Sequence, residues 1–296
     1  MNIIKKKYVY LGDCDSINIE LICNAFHVLK NKTKYILIGN LKVLKEYLSK
    51  IKSDISINEI INPYDFDECN NNSLNIFNIE NISAQKYKNL LNQINIANHL
   101  ANNSQTDLVT MPINKSLIKK KIKFIGVTEY LGKINDKKTM MLMYGEKFSV
   151  IPLTTHINPK KIHLKLNKIN LKEVITRLLR LIEDKKYNLK FNHIKFLCYN
   201  PHCGEKETIG NEDKIITDII KKLRKISGPF PADSAFQVMN KGSLFVSTYH
   251  DQALIPFKLI NEKGVNLTLG LNYKRLSPTH GTAKNIKYKN ISNNSS

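Results

Sequence analysis

Apolar positions along the chain fall into short unbroken runs separated by stretches of helical spacing. Residues 8–11, 35–39 and 107–111 read as strands. Tyr35-Ile36-Leu37-Ile38-Gly39 has no polar interruption, which is the signature of a strand covered on both faces. Residues 17–29 carry Ile19, Ile22, Cys23 and Phe26 on one helical face, and residues 41–51 and 84–102 repeat the pattern. Residues 56–61 add a short strand, whereas the Asn-rich residues 62–81 follow neither period and read as a loop excursion. Strands are expected again at 147–155, 193–199, 243–247 and 265–269. Helices are expected at 171–182, with Val174, Leu178, Leu181 and Ile182 on one face, and at 213–226, closed by Ser227-Gly228-Pro229. Strands alternating with helices predict an α/β fold with a mostly parallel sheet and helices on both faces. The polar tail, residues 287–296, reads as frayed.

Composition narrows the class. The chain has 296 residues, 42% apolar and 24% charged, enough for one large domain or two linked ones. No apolar run reaches the ~20 residues needed to cross a bilayer. The start, Met1-Asn2-Ile3-Ile4-Lys5, lacks the apolar core and small-residue cleavage site of a signal peptide, so the expected location is cytoplasmic. Cys14, Cys23, Cys69, Cys198 and Cys203 form no CxxC pair and read as reduced thiols. The net charge of +21 raises nucleic-acid binding as a class. The lysines are spread along the whole chain, however, and no aromatic platform is interleaved with them. Heavy use of Lys, Asn and Ile also follows from AT-rich coding. The expected partners are therefore a small anionic substrate, with no nucleic acid and no membrane.

Three of the eight histidines stand out. His156, His202 and His250 each follow an expected strand, in Thr154-Thr155-His156, Asn200-Pro201-His202 and Tyr249-His250-Asp251-Gln252. Open α/β sheets place ligand chemistry at such strand ends. Three imidazoles leave open positions on a divalent ion, as a catalytic metal requires. His27, His99, His163 and His193 have no comparable setting. Lys258, Asn266 and Arg275 lie near the later strand ends, and Lys258 and Arg275 are natural holders of a phosphate. Asp233 and Asp251 admit two readings, a base or support for the histidines, or a helix N-cap.

At these residues the chain resembles the 4-hydroxythreonine-4-phosphate dehydrogenase family of vitamin B6 synthesis. The resemblance rests on Tyr249-His250-Asp251-Gln252, Gly264-Val265-Asn266-Leu267-Thr268, Arg275-Leu276-Ser277 and His280-Gly281-Thr282-Ala283. It extends to Thr110-Met111-Pro112-Ile113-Asn114-Lys115, Val127-Thr128-Glu129, Asn200-Pro201-His202-Cys203-Gly204-Glu205 and Gly228-Pro229-Phe230-Pro231-Ala232-Asp233. These blocks keep their order from about residue 6 to residue 283.

The resemblance implies two α/β/α domains of the isocitrate and isopropylmalate dehydrogenase type, with the active site in the interdomain cleft. The expected first domain is residues 1–125 with 270–296, and the second, residues 126–269, carries most of the metal and substrate site. By the same resemblance His156, His202 and His250 bind the metal, and Thr128, Lys258, Asn266 and Arg275 contact substrate. His280, Gly281, Thr282 and Ala283 would hold NAD or NADP, and Asp233 and Asp251 are the candidate bases. The site would be completed across a homodimer, with one histidine from the partner and the His250 segment crossing between subunits. The implied reaction oxidises 4-phosphohydroxy-L-threonine at C3; the 3-oxo acid then loses CO2 to give 3-amino-2-oxopropyl phosphate. Zinc, cobalt and manganese suit three imidazoles better than magnesium does.

The chain also departs from the family. Val127 stands where the family has a histidine, Thr279 where it has an acidic residue, and Gly12-Asp13-Cys14-Asp15 where it has a glycine-rich block. The chain ends soon after the His280 loop, where the family continues into a helix. Two other readings remain: oxidation of a threonate or erythronate 4-phosphate, and a decayed homologue that binds without turnover.

Overall fold

The computed structural model describes residues 5–29, 32–168 and 170–293. The first four residues and the last three of the tail lie outside that range. The chain forms two compact units, Met1–Lys137 with Leu271–Ser296, and Lys138–Gly270. The helix over Val127–Ile134 belongs to the first unit, where it buries Val127 and Leu131 in the core.

The first unit begins with β1 (Lys5–Tyr10), α1 (Asn18–Leu29), β2 (Thr33–Gly39), α2 (Leu41–Lys50), β3 (Ser56–Glu59) and β4 (Ser73–Asn78). It continues through α3 (Lys86–Ser104), β5 (Asp107–Thr110), α4 (Lys115–Lys119) and α5 (Val127–Ile134). The second unit contains β6 (Met140–Gly145), β7 (Ser149–Thr154), α6 (Ile162–Lys168), α7 (Leu171–Glu183), β8 (His193–Leu197) and α8 (Asp213–Ile220). It ends with β9 (Ile226–Phe230), α9 (Ala232–Ala235), β10 (Ser243–Tyr249), α10 (His250–Ile260) and β11 (Gly264–Leu269). The chain then returns to the first unit with β12 (Arg275–Pro278).

In the first unit the strand order is β3-β4-β2-β1-β5-β12, and every pairing is parallel. Alternation along the strands divides its core in two. Tyr8, Tyr10, Ile36 and Ile38 face Ile94, Ala97 and Ala101 of α3, while Leu37 and Ile76 belong with Ile19 and Ile22 of α1 and Leu44 of α2. Both faces are thus apolar, as the unbroken run at 35–39 requires. In the second unit the order is β11-β6-β7-β10-β8-β9. There β6 runs antiparallel to both neighbours, and β7, β10, β8 and β9 are parallel.

Three sequence expectations need correction. The loop excursion at 62–81 contains β4, whose Leu74 and Ile76 are fully buried and whose Asn75 is 4% exposed. Alternation was masked because a buried asparagine takes an apolar position. Asn75 Oδ1 accepts from Asn58 Nδ2 at 2.9 Å and from the Asn70 amide at 2.7 Å, and its Nδ2 donates to the Asn70 carbonyl at 3.1 Å. The helix expected over 213–226 stops at Ile220, and Ile226–Phe230 is an edge strand beside β8. The tail is anchored where described: Lys287 Nζ donates to Asp15 Oδ1 at 3.0 Å, and the Tyr288 ring lies 4.7 Å from that of Tyr47.

Replacing Asn75 by Ala strands the groups that it serves. The expected loss is ~1–3 kcal/mol, the cost of leaving buried polar groups unmatched, read as a lower urea midpoint.

Candidate active site

Parallel strands deliver their C-terminal residues to one edge, and the second unit uses this directly. β10 lies between β7 and β8, with Tyr249 opposite Thr154. Thr154 Oγ1 donates to the Thr248 carbonyl at 2.8 Å and closes the ladder. Just beyond it come His250, which opens α10, and His156, in the left-handed region at φ 49°. Their ring centroids are 5.5 Å apart.

Gln252, which motif reading leaves without a role, ties this edge together. Its Oε1 accepts from the Thr248 amide at 3.0 Å and from Thr248 Oγ1 at 3.1 Å, while its Nε2 donates to the Cys198 carbonyl at 2.7 Å. One side chain thus links the start of α10 to the ends of β10 and β8. The residues beyond β8 reach the same pocket of about 360 Å³, lined by His156, Tyr199, Asn200, Tyr249, His250 and Asp251 among others.

Asp251 Oδ1 lies 2.9 Å from His250 Nδ1. When Nδ1 carries the proton it donates to the carboxylate, and Nε2 presents its lone pair, the arrangement by which carboxylates orient metal-binding imidazoles. Neither candidate base is an N-cap. The caps are Tyr249 for α10 and Pro231 for α9, and Asp251 and Asp233 sit in the first turns.

His202 is held apart from this pair. The Tyr199 and Asn200 amides donate to Asp213 at 2.6 and 3.0 Å, and Asn200 Nδ2 donates to Glu212 at 2.8 Å. After this anchor the backbone turns left-handed for six consecutive residues, His202, Cys203, Gly204, Glu205, Lys206 and Glu207. That hand costs roughly 1–2 kcal/mol for each residue other than glycine. The His202 side chain is 60% exposed, with Nδ1 3.9 Å from Asp233 Oδ2. The same turn corrects the reading of five reduced cysteines. It returns Cys203 to a Cα–Cα distance of 5.1 Å from Cys198, and the two are joined as a disulfide; Cys14, Cys23 and Cys69 are free.

The donor chemistry of His156 and His250 fits two positions on a divalent metal. Among the described residues no three His, Cys, Asp or Glu side chains of one chain converge as a complete ligand set. Among the described residues His156 and His250 meet within the chain, and His202 stands outside the pocket that they share. Lys258 lies eight residues along α10 from His250, about 12 Å of helix rise, and is exposed. Asn266 sits on β11 opposite Met143, and its Oδ1 is buried with no hydrogen-bond partner.

The first unit holds a separate group. Arg275, at the start of β12, is 3% exposed. Its Nε donates to Thr110 Oγ1 at 2.8 Å and its Nη1 to Thr128 Oγ1 at 3.2 Å. Burial pulls its pKa down to about 10, against the opposing influence of Tyr273 and Glu129, so it stays a cation at neutral pH. Val127 packs in the apolar cluster with Ile118, Phe124 and Leu131, so the position occupied by a family histidine is here part of the core. Beyond β12 the Thr282 carbonyl accepts from the Ile17 amide at 3.2 Å, and His280 Nδ1 lies 2.7 Å from the Gly281 carbonyl oxygen. Ala283 is left-handed at φ 44°. A pocket of about 470 Å³ lies between α2 and α3, lined by Asp15, Asn40, Tyr47, Lys86, Lys287 and Tyr288 among others.

A family model described as pyridoxal phosphate biosynthetic protein PdxA matches residues 31–296. The chain belongs to the PdxA family. Relatives named 4-hydroxythreonine-4-phosphate dehydrogenase agree along its length. That of Aquifex aeolicus is 35% identical, covering 99% of this chain and 95% of the relative; that of Hydrogenobaculum sp. is 33% identical, covering 96% and 93%. The crystal structure of the Klebsiella pneumoniae 4-hydroxythreonine-4-phosphate dehydrogenase superposes with a TM-score of 0.77 at 25% identity, covering 98% of this chain and 95% of that one. A terephthalate 1,2-cis-dihydrodiol dehydrogenase from Burkholderia xenovorans shares the fold, with a TM-score of 0.59 at 19% identity.

Within this PdxA-family edge Gln252 serves as a brace, and Gln252→Ala removes three hydrogen bonds at once. Its expected effect is a loss of ~1–3 kcal/mol in denaturant unfolding, with faster amide exchange at Thr248 than at the centre of β10.

Proposed function

We propose that the chain catalyses the nicotinamide-dependent oxidation of 4-phosphohydroxy-L-threonine at C3. The resulting 2-amino-3-oxo-4-(phosphooxy)butanoate loses CO2 to give 3-amino-2-oxopropyl phosphate for pyridoxal phosphate synthesis. The observation that carries this reading is the meeting of His156 and His250 at the ends of β7 and β10, with Asp251 behind His250. The PdxA-family relatives, named 4-hydroxythreonine-4-phosphate dehydrogenase, support the same reaction.

His156, His250 and, once brought in, His202 would hold a divalent metal, with zinc, cobalt or manganese better suited than magnesium. When bound, the metal supplies Lewis acidity toward the substrate hydroxyl and NAD or NADP supplies the hydride acceptor. The chain's own residues bind and orient. Arg275, bonded to Thr110 and Thr128, contributes its positive charge to the recognition of an anionic substrate group. The unpartnered Asn266 Oδ1 is an acceptor for a substrate ammonium or hydroxyl. Asp251 holds the proton on His250 Nδ1, and Asp251 or Asp233 takes the hydroxyl proton as base. Lys258, exposed on α10, suits a phosphate reached from a second copy, in keeping with a homodimer whose site combines both subunits. The loop His280–Ala283 is assigned to the cofactor. No helix among the described residues is long and apolar enough to cross a membrane, and the enzyme is assigned to the cytoplasm on its sequence.

NADH formation from 4-phosphohydroxy-L-threonine and from threonate 4-phosphate, with and without added metal, tests the assignment. The expected result is metal-dependent turnover of the amino acid and little of the threonate. No turnover of either substrate by metal-replete protein removes the dehydrogenase reading. His250→Ala is expected to lower kcat/KM by at least ~100-fold, since losing the outer partners of metal ligands alone costs ~10–100-fold. Arg275→Met is expected to raise KM for the phosphorylated substrate by ~10-fold or more, the worth of one or two charge-assisted hydrogen bonds, and also to lower the urea midpoint, because the buried Thr110 and Thr128 hydroxyls lose their partner.

A further inference from the structure

We infer that Cys198 and Cys203 form a reversible thiol–disulfide couple whose oxidation withholds His202 from the metal site. The inference rests on the reading of His202 as a metal ligand. Cys198 directly follows β8 and is 1% exposed, whereas Cys203 is half-buried and adjoins the exposed His202. Their bond closes a ring over residues 198–203 that contains His202.

Both ends of that ring are independently fixed. On the Cys198 side, Gln252 binds the Cys198 carbonyl, and Tyr199 and Asn200 are held by Asp213 and Glu212. On the Cys203 side, the chain is packed at Gly204, where a Cβ would meet the Gly210 carbonyl oxygen at 2.4 Å, and the Ile209 amide donates to the Gly204 carbonyl at 3.2 Å. With the bond closed, His202 and Cys203 are kept at φ 48° and 57°, and the imidazole stands near Asp233 rather than in the pocket shared by His156 and His250. With the bond open, the Cys203 amide–Asn200 carbonyl and Glu205 amide–His202 carbonyl hydrogen bonds, at 3.2 and 3.3 Å, are what still hold the two residues in a backbone region that disfavours them. Cys203 Sγ then has an acceptor at hand, the Pro229 carbonyl oxygen 3.6 Å away.

A ring this short adds little by restricting the unfolded chain, because that contribution grows with loop length. Its effect is local. The other three cysteines do not compete for oxidant. Burial, chiefly, pushes Cys14 up to about 12 and Cys23 and Cys69 up to about 11, so none is a thiolate at neutral pH. In a reducing compartment, disulfides of this kind are transient and redox-sensing. With a peroxide as oxidant the chemistry balances. The sulfur of Cys203, the less buried of the two, attacks one peroxide oxygen, forming a sulfenic acid and releasing one water. The Cys198 sulfur then displaces the hydroxyl, which leaves as a second water. Two thiols and one hydrogen peroxide thus give one disulfide and two waters. A dithiol reductant reverses the state by exchange, becoming a disulfide itself.

The test uses the full chain, treated with hydrogen peroxide or with a dithiol and then desalted. Alkylation after denaturation, read by mass spectrometry, is expected to label three cysteines in the oxidised form and five in the reduced form. Five labels in both overturn the couple. Backbone hydrogen exchange over residues 201–207 is expected to rise at least tenfold on reduction, and unchanged exchange overturns the restraint. Cobalt(II) titration, followed by its visible spectrum, is expected to give at least tenfold tighter binding in the reduced form. Equal affinity in the two forms overturns the gate and leaves the metal reading standing. Cobalt binding by neither form overturns the metal reading and the gate together, while labelling and exchange still report on the couple. Cys203→Ala and Cys203→Ser are each expected to bind cobalt as the reduced protein does, whatever the treatment. A peroxide response retained in both variants overturns the assignment to this pair.

Discussion

The pairing of β7 with β10 is the constraint on which the candidate site depends. Two parallel strands in register must end together, so His156 and His250 meet although they are far apart in sequence. The meeting is made firm by short polar links: Thr154 to the Thr248 carbonyl, Thr248 to Gln252, and Gln252 to the Cys198 carbonyl. Each is an ordinary hydrogen bond worth ~1 kcal/mol net. Together they leave the strand ends no alternative partners, so the first turn of α10 starts where it presents His250 and Asp251 to one pocket.

The first unit depends on a different kind of interaction. Arg275 is buried and therefore has to be bonded, and the hydroxyls of Thr110 and Thr128 supply part of this. The same economy explains Asn75 on β4, where a polar side chain occupies an apolar position because every one of its groups finds a match. Saturation is not universal: among the described residues Asn18 Oδ1, Glu20 Oε2, Tyr35 Oη and Asn266 Oδ1 are buried with no hydrogen-bond partner, the last of them on β11.

The departures from the family pattern acquire physical meaning in this setting. Val127 is an added apolar contact among Ile118, Phe124 and Leu131, at the residue before a threonine that bonds Arg275. Lys287 and Tyr288 take hold of Asp15 and Tyr47, which secures this stretch against the first unit.

Much of this was legible in the sequence. Unbroken apolar runs mark buried parallel strands because both faces are covered, so β1, β2, β5, β8 and β10 could be read directly, along with α1, α2, α3 and α7. The motif blocks identified the family, and the strand-end histidines were visible because each closes an apolar run. β4 and β9 escaped, since a saturated asparagine and a Gly-Pro step hide the alternation that marks a strand. Which histidines meet, that neither Asp233 nor Asp251 is a cap, that Gln252 braces the edge and that Cys198 reaches Cys203 were decided only by the tertiary structure. Local sequence determines what a strand is and where it ends. Which other strand ends beside it is set by register and sheet order, and these are properties of the whole chain packed around its core.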